Sequence, residues 1–198
     1  MNKIKKIKMP NKEIEYLKSD SISELDVSKY LPNVKILLYK DLDEYNTIEE
    51  LLPNPNTYVF ILYVTSETYN MTVGHWMVIS RSIQNNIDTI ESFESYGYPI
   101  EYPLKKWMNE TERIRLGENI MHLTNLFNKT NLPVIYNNVT FQNRYNFDIK
   151  TCGRYAIYRI VKMLDGMDLK GFYKHMKLLK KQYNVKTFDD LIVQIINI

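Results

Sequence analysis

Cysteine is nearly absent: Cys152 is the only one in 198 residues. One thiol excludes an internal disulfide framework and any metal site built from several cysteines. No stretch approaches the roughly 18 consecutive apolar residues of a membrane-spanning helix. The basic start, Met1-Asn2-Lys3-Ile4-Lys5-Lys6-Ile7-Lys8-Met9-Pro10, is not followed by an apolar run, so no secretory signal is expected. With only six glycines there is no Gly/Ser linker, and no internal repeat is visible. These absences predict a soluble, intracellular chain without membrane contact, folded as a single domain over residues 1–198; a monomer is expected, although nothing in the sequence shows the oligomeric state. Sequons at Asn70, Asn109, Asn128 and Asn138 carry no weight in such a chain, because Asn is abundant throughout.

What is plentiful is Tyr, Asn, Lys and Ile, with 16 tyrosines alone. AT-rich codons supply this set, so it reports on a genome before it reports on chemistry. The net charge of +3 is mildly basic and allows weak attraction to DNA or another polyanion without indicating it. Lys174, Lys177, Lys180 and Lys181 read as the solvated face of a helix.

Hydrophobic patterning predicts an α+β fold: a central, mostly antiparallel sheet flanked by helices. Helices are expected over Ser23 to Leu31, Asp41 to Leu52, Leu104 to Asn109, Thr111 to Asn128, Leu169 to Tyr183, and from Thr187 onward. Strands are expected at Val34 to Tyr39, Thr57 to Thr65, Val73 to Ser80, Ile87 to Phe93 and within Val134 to Phe141. Gly153, Ala156, Ile157, Ile160, Val161 and Leu164 make the apolar stripe of a helix starting at Cys152, with Arg154, Arg159 and Lys162 on the other side.

Cys152 thus falls in the first turn of a helix, where unpaired N–H groups and the macrodipole favour a thiolate. Thr151 is a suitable N-cap, and Gly153 leaves the thiol unobstructed. A lone cysteine is commonly just a small buried hydrophobe, so its neighbours decide the reading. Of three histidines, His122 and His175 lie on mixed helical segments and read as solvated. His75 sits in the apolar strand Val73-Gly74-His75-Trp76-Met77-Val78-Ile79, where burial without a polar partner is costly. A general base that takes the thiol proton accounts for it. An acid holding the other imidazole nitrogen should come from the next strand, which offers Asp88, Glu91 and Glu94. Alternation separates Glu91 from the other two, and Glu94 lies at the strand end. An oxyanion donor is expected shortly before the cysteine, where Gln142, Asn143 and Arg144 are equally eligible.

Gly74-His75-Trp76-Met77, Phe93-Glu94-Ser95-Tyr96-Gly97-Tyr98, Phe141-Gln142 and Cys152-Gly153 together resemble the adenovirus-type maturation cysteine proteases. The same order recurs in proteases of virophages and Polinton-like elements and in the ubiquitin-like-protein-specific proteases. The resemblance spans about Thr57 to Leu164 as spaced motifs. It implies a permuted papain-like fold, with His75 as base, Glu94 as orienting acid, Gln142 as oxyanion donor and Cys152 as nucleophile. It implies no metal or organic cofactor, and cleavage of viral capsid precursors after small residues, in the virion and the host-cell cytoplasm. Arg154 departs from the pattern and calls for a local acidic partner or an unusual substrate subsite. An isopeptidase acting on ubiquitin-like modifiers and a non-catalytic scaffold that keeps the fold are the alternatives.

Overall fold

The computed structural model describes the backbone of residues 9–68 and 71–198 and the side chains of all of these outside 66–73. The basic start from Met1 to Lys8 and the Asn70 sequon lie outside the described residues. Among the described residues no helix is long and apolar enough to cross a membrane.

Among the described residues five strands form one sheet in the order β1 (Lys35–Leu38), β2 (Thr57–Thr68), β3 (Met71–Gln84), β4 (Ile87–Glu94) and β5 (Val134–Tyr136). The meander β2-β3-β4 is antiparallel, and both outer strands add in parallel. Helices flank this sheet, the α+β arrangement that the patterning predicts. The apolar run Val59 to Val64 is buried throughout, as a central strand between β1 and β3 requires. β3 and β4 are joined by a tight turn at Asn85 and Asn86, both at positive φ, the backbone sign that two-residue hairpins need.

The helices are α1 (Asn11–Ser19), α2 (Glu24–Tyr30), α3 (Ile48–Leu51), α4 (Tyr102–Trp107), α5 (Glu110–Leu116), α6 (His122–Phe127), α7 (Cys152–Leu164), α8 (Leu169–Tyr183) and α9 (Phe188–Ile195). Local caps set several boundaries. Ser23, Asn109 and Thr187 each form a reciprocal capping box with the acid three residues on.

Several expectations need correction. Asp41 to Leu52 is not one helix: a 3-10 segment, Tyr39–Glu44, stops, and Thr47 caps a new start by accepting from the Glu50 N–H. Thr111 to Asn128 is likewise divided, because Gly117 closes α5 in the left-handed region at φ 72°. His122 is buried against the Tyr39 ring rather than solvated. Helix α7 is not amphipathic in the expected way, since Arg154 and Arg159 are both fully buried. Arg159 is paired with Glu91 at 2.5 and 2.7 Å, across the interface that α7 makes with β4.

Candidate active site

In the β3–β4 ladder Met77 lies directly opposite Glu94. His75, two residues from Met77, therefore projects from the same face as Glu94. Glu91 falls on the opposite face, where Arg159 holds it, and Asp88 is taken by Arg81 at 2.7 Å. Alternation thus leaves Glu94 for the histidine, and His75 Nε2 lies 2.6 Å from Glu94 Oε1. The distance is that of a hydrogen bond but the alignment is not, so the contact is an ion pair governed by separation. Glu94 is fixed from behind, accepting from the backbone N–H of Tyr96 at 2.8 Å and of Tyr98 at 2.9 Å. The turn that supplies them needs Gly97, whose φ is +66° and whose Cβ position lies 2.7 Å from the Val139 carbonyl.

Cys152 opens α7, with the His75 side chain and the backbone N–H groups of Trp76 and Gly153 placed to favour its thiolate. With Nε2 on the carboxylate, Nδ1 is the imidazole nitrogen left for sulfur. Burial pushes the thiol up, but the imidazolium charge and these donors outweigh it, and the Cys152 pKa is lowered. Burial pulls His75 down, but the charges of Cys152 and Glu94 outweigh that and raise it to about 10. Both shifts favour one state, a thiolate–imidazolium pair. All of its members are enclosed: Cys152 is 8% exposed, His75 4% and Glu94 6%.

Gln142 follows the irregular segment after β5 and is buried. Its Oε1 accepts from Ser95 Oγ at 2.8 Å, while Nε2 donates to the Ile149 carbonyl at 2.7 Å and to the Tyr96 hydroxyl at 3.0 Å. The structure therefore places His75 beside both Glu94 and Cys152, and reaches Gln142 through Tyr96.

Neighbouring residues behave differently from the sequence expectations. Thr151 makes no side-chain cap, because its hydroxyl donates to Asp189 at 2.6 Å. Gly153 is required by packing rather than by substrate access: a Cβ there would lie 2.3 Å from Ile22 Cδ1 and 3.0 Å from Trp76 Cδ1. Gly74 is required because a Cβ would fall 2.0 Å from the Tyr63 carbonyl oxygen. Arg154 makes no side-chain ion pair among the described residues, although the charges of Asp20, Cys152 and Asp26 lie close enough to act on it. It is buried and donates to the carbonyl oxygens of Asp20 and Ile198.

Three residues close the site without having been singled out by the sequence. The Tyr96 ring stacks on His75 with centroids 5.0 Å apart, and Trp107 meets the imidazole edge-on at the same distance. Asp189, on α9, accepts from the Asn143 N–H as well as from Thr151, and so ties both ends of the segment between Gln142 and Cys152. Tyr96 lies inside the quoted Phe93 to Tyr98 motif. Asp189 had only the helix-start signal of Thr187 and Asp190 to mark its neighbourhood.

No protein-family model matches the sequence, and no curated protein matches it. Among solved structures, the chain is similar to the ASFV pS273R protease, with a TM-score of 0.46 and 13% identity over 94% of this chain and 69% of that one. A selenomethionine structure of the same protease gives 0.48 and 14% over 94% and 70%. A de-sumoylating protease gives 0.32 and 14% over 96% and 79%.

Chemically, the arrangement offers a thiolate nucleophile, a charged imidazole that can give and take a proton, and a carboxylate that holds the imidazole. Among the described residues no group of three or more His, Cys, Asp or Glu side chains could hold a metal ion.

Proposed function

We propose that the protein is a cysteine protease. The observation that carries this reading is the position of His75, beside Cys152 and 2.6 Å from Glu94. A scaffold that merely kept the fold would have no use for a buried pair whose pKa values are driven apart in this way.

In the reaction, Cys152 Sγ attacks the scissile carbonyl carbon and the carbonyl π electrons move onto oxygen. As the C–N bond breaks, the imidazolium of His75 gives its proton to the departing amine, leaving an acyl thioester on Cys152. His75, now neutral, takes a proton from water while the water oxygen bonds to the acyl carbon. The C–S bond breaks, the thiolate returns and the carboxylic acid leaves. Glu94 holds the imidazole throughout and stabilises its charged form.

The resemblance to the adenovirus-type maturation enzymes supports viral capsid or other virion precursors as substrates, and would place the protein in the virion and the host-cell cytoplasm. The enclosure of Cys152 and the aromatic walls of Tyr96 and Trp107 beside His75 favour small residues at the scissile bond, in keeping with that substrate class. An isopeptide bond presents the same carbonyl and differs only in its amine. Removal of a ubiquitin-like modifier is therefore the second reading that this centre supports.

The test is incubation of the protein and of Cys152→Ala with a capsid precursor and, separately, with a ubiquitin-like conjugate, reading new chain termini by mass spectrometry. New termini with the protein and none with Cys152→Ala are expected. Cleavage by Cys152→Ala would overturn the reading.

A further inference from the structure

In the resemblance, the oxyanion donor is Gln142. The hydrogen bonds of its amide are already assigned. One N–H is given to the Ile149 carbonyl at 2.7 Å, the other to the Tyr96 hydroxyl at 3.0 Å, and Oε1 is engaged by Ser95. An amide nitrogen has two protons. Neither is left for a substrate oxygen in this arrangement.

The Tyr96 hydroxyl is in the opposite condition. It accepts from Gln142, and among the described residues its own proton has no acceptor. Burial, followed by the nearby charges of Cys152 and Glu94, holds its pKa well above the ordinary phenol value, so the proton is present at every working pH. The phenol is also fixed against the reacting groups. Its ring lies 5.0 Å from the His75 ring at an interplanar angle of 24°, its N–H is bonded to Glu94, and its carbonyl accepts from Arg144 Nε at 2.7 Å. A hydroxyl that accepts from an amide N–H becomes a better donor, because each bond polarises the next.

We propose that the Tyr96 hydroxyl is a catalytic residue of this site: it donates the side-chain hydrogen bond to the oxyanion formed on the scissile carbonyl oxygen, and Gln142 acts as the positioning residue that orients and polarises it. The inference rests on the cysteine protease reading. It assigns the direct contact to a residue for which the sequence motif gives no role. No bond to Tyr96 forms or breaks; its proton stays on the phenol oxygen while negative charge gathers and then leaves the substrate oxygen.

The experiment uses the full chain with Tyr96→Phe, which keeps the ring on His75 and removes only the hydroxyl. Two probes of Cys152 are compared. Hydrolysis of p-nitrophenyl acetate passes through a tetrahedral oxyanion, whereas alkylation by iodoacetamide displaces iodide at a saturated carbon and develops none. Tyr96→Phe is expected to slow ester hydrolysis by about 100-fold or more, the effect of losing one such donor, with the alkylation rate and its pH profile unchanged. An undiminished ester rate would overturn the proposal. A faster one would do so too, since the hydroxyl would then be blocking the oxyanion position. Equal losses in both reactions would show that Tyr96 acts only through His75. If the unmodified protein shows neither Cys152-dependent ester hydrolysis nor fast alkylation, the protease reading itself fails, and that result is distinct from the other three.

Discussion

Asp189 accepts a hydrogen bond from Thr151 at 2.6 Å, joining the last helix to the residue immediately before Cys152. The same carboxylate takes the Asn143 N–H at 3.0 Å and the Tyr155 hydroxyl at 3.2 Å. The irregular segment between Gln142 and Cys152 is thus clamped at both ends by one buried side chain. Asp189→Ala strands these donors, so a stability loss of about 1–3 kcal/mol is expected in urea unfolding. Ester hydrolysis should fall with it, because Cys152 and Gln142 lose their common anchor.

The Arg159–Glu91 pair is fully buried and lies on the face of the sheet away from Glu94. Arg159→Met leaves a buried carboxylate with no opposite charge and only the Gln84 amide at 3.2 Å to hold it, and a loss of about 3–5 kcal/mol is expected by denaturant unfolding. Adding Glu91→Leu should restore most of it, since two apolar groups leave no charge uncompensated. Persistence of the full loss in the double variant would show that the pair does more than neutralise itself.

Glu94 is one of two charges that raise His75, the other being Cys152. Glu94→Gln should lower kcat by roughly 100-fold and move the alkaline limb of the rate profile to lower pH. A profile unchanged in position would mean that the 2.6 Å contact has no bearing on the imidazole.

Glu118 is buried, with Oε1 on the Val64 N–H at 2.7 Å and Oε2 unpartnered. Burial raises its pKa from 4.5 to about 7. Between those values the folded state holds a proton that the unfolded state has lost, so stability falls as pH rises through this window. Melting temperature followed from pH 4.5 to 7 should show that decline, and Glu118→Gln should flatten it.

The strands were legible because their apolar, β-branched runs are long, and alternation separated Glu91 from Asp88 and Glu94, but which class faces His75 is decided by the β3–β4 register, in which Met77 lies opposite Glu94. The cysteine helix was legible from its 3.6-residue period. What escaped is tertiary. Arg154 and Arg159 look like surface residues because charge is read as solvent-facing, whereas the two terminal nitrogens of one donate to the backbone oxygens of Asp20 and Ile198 and the other is held by Glu91. Thr151 looks like a cap because a local bond is assumed, and Asp189, from 38 positions away, claims its hydroxyl instead. Tyr96 stands two residues after Glu94 in the motif, but only the turn at Gly97 carries its ring back over His75.

The protease reading requires Cys152 and His75 to be charged together in the folded protein. The most direct measurement is the rate of Cys152 alkylation by iodoacetamide against pH, for the protein and for His75→Ala. The thiol is lowered and the imidazole raised to about 10, so the rate should rise below the free-thiol value of about 8.5 and hold a plateau up to the loss of the His75 proton. In His75→Ala the early rise should vanish and the midpoint return to about 8.5 or above. A midpoint near 8.5 in the unmodified protein, unmoved by His75→Ala, would contradict the account.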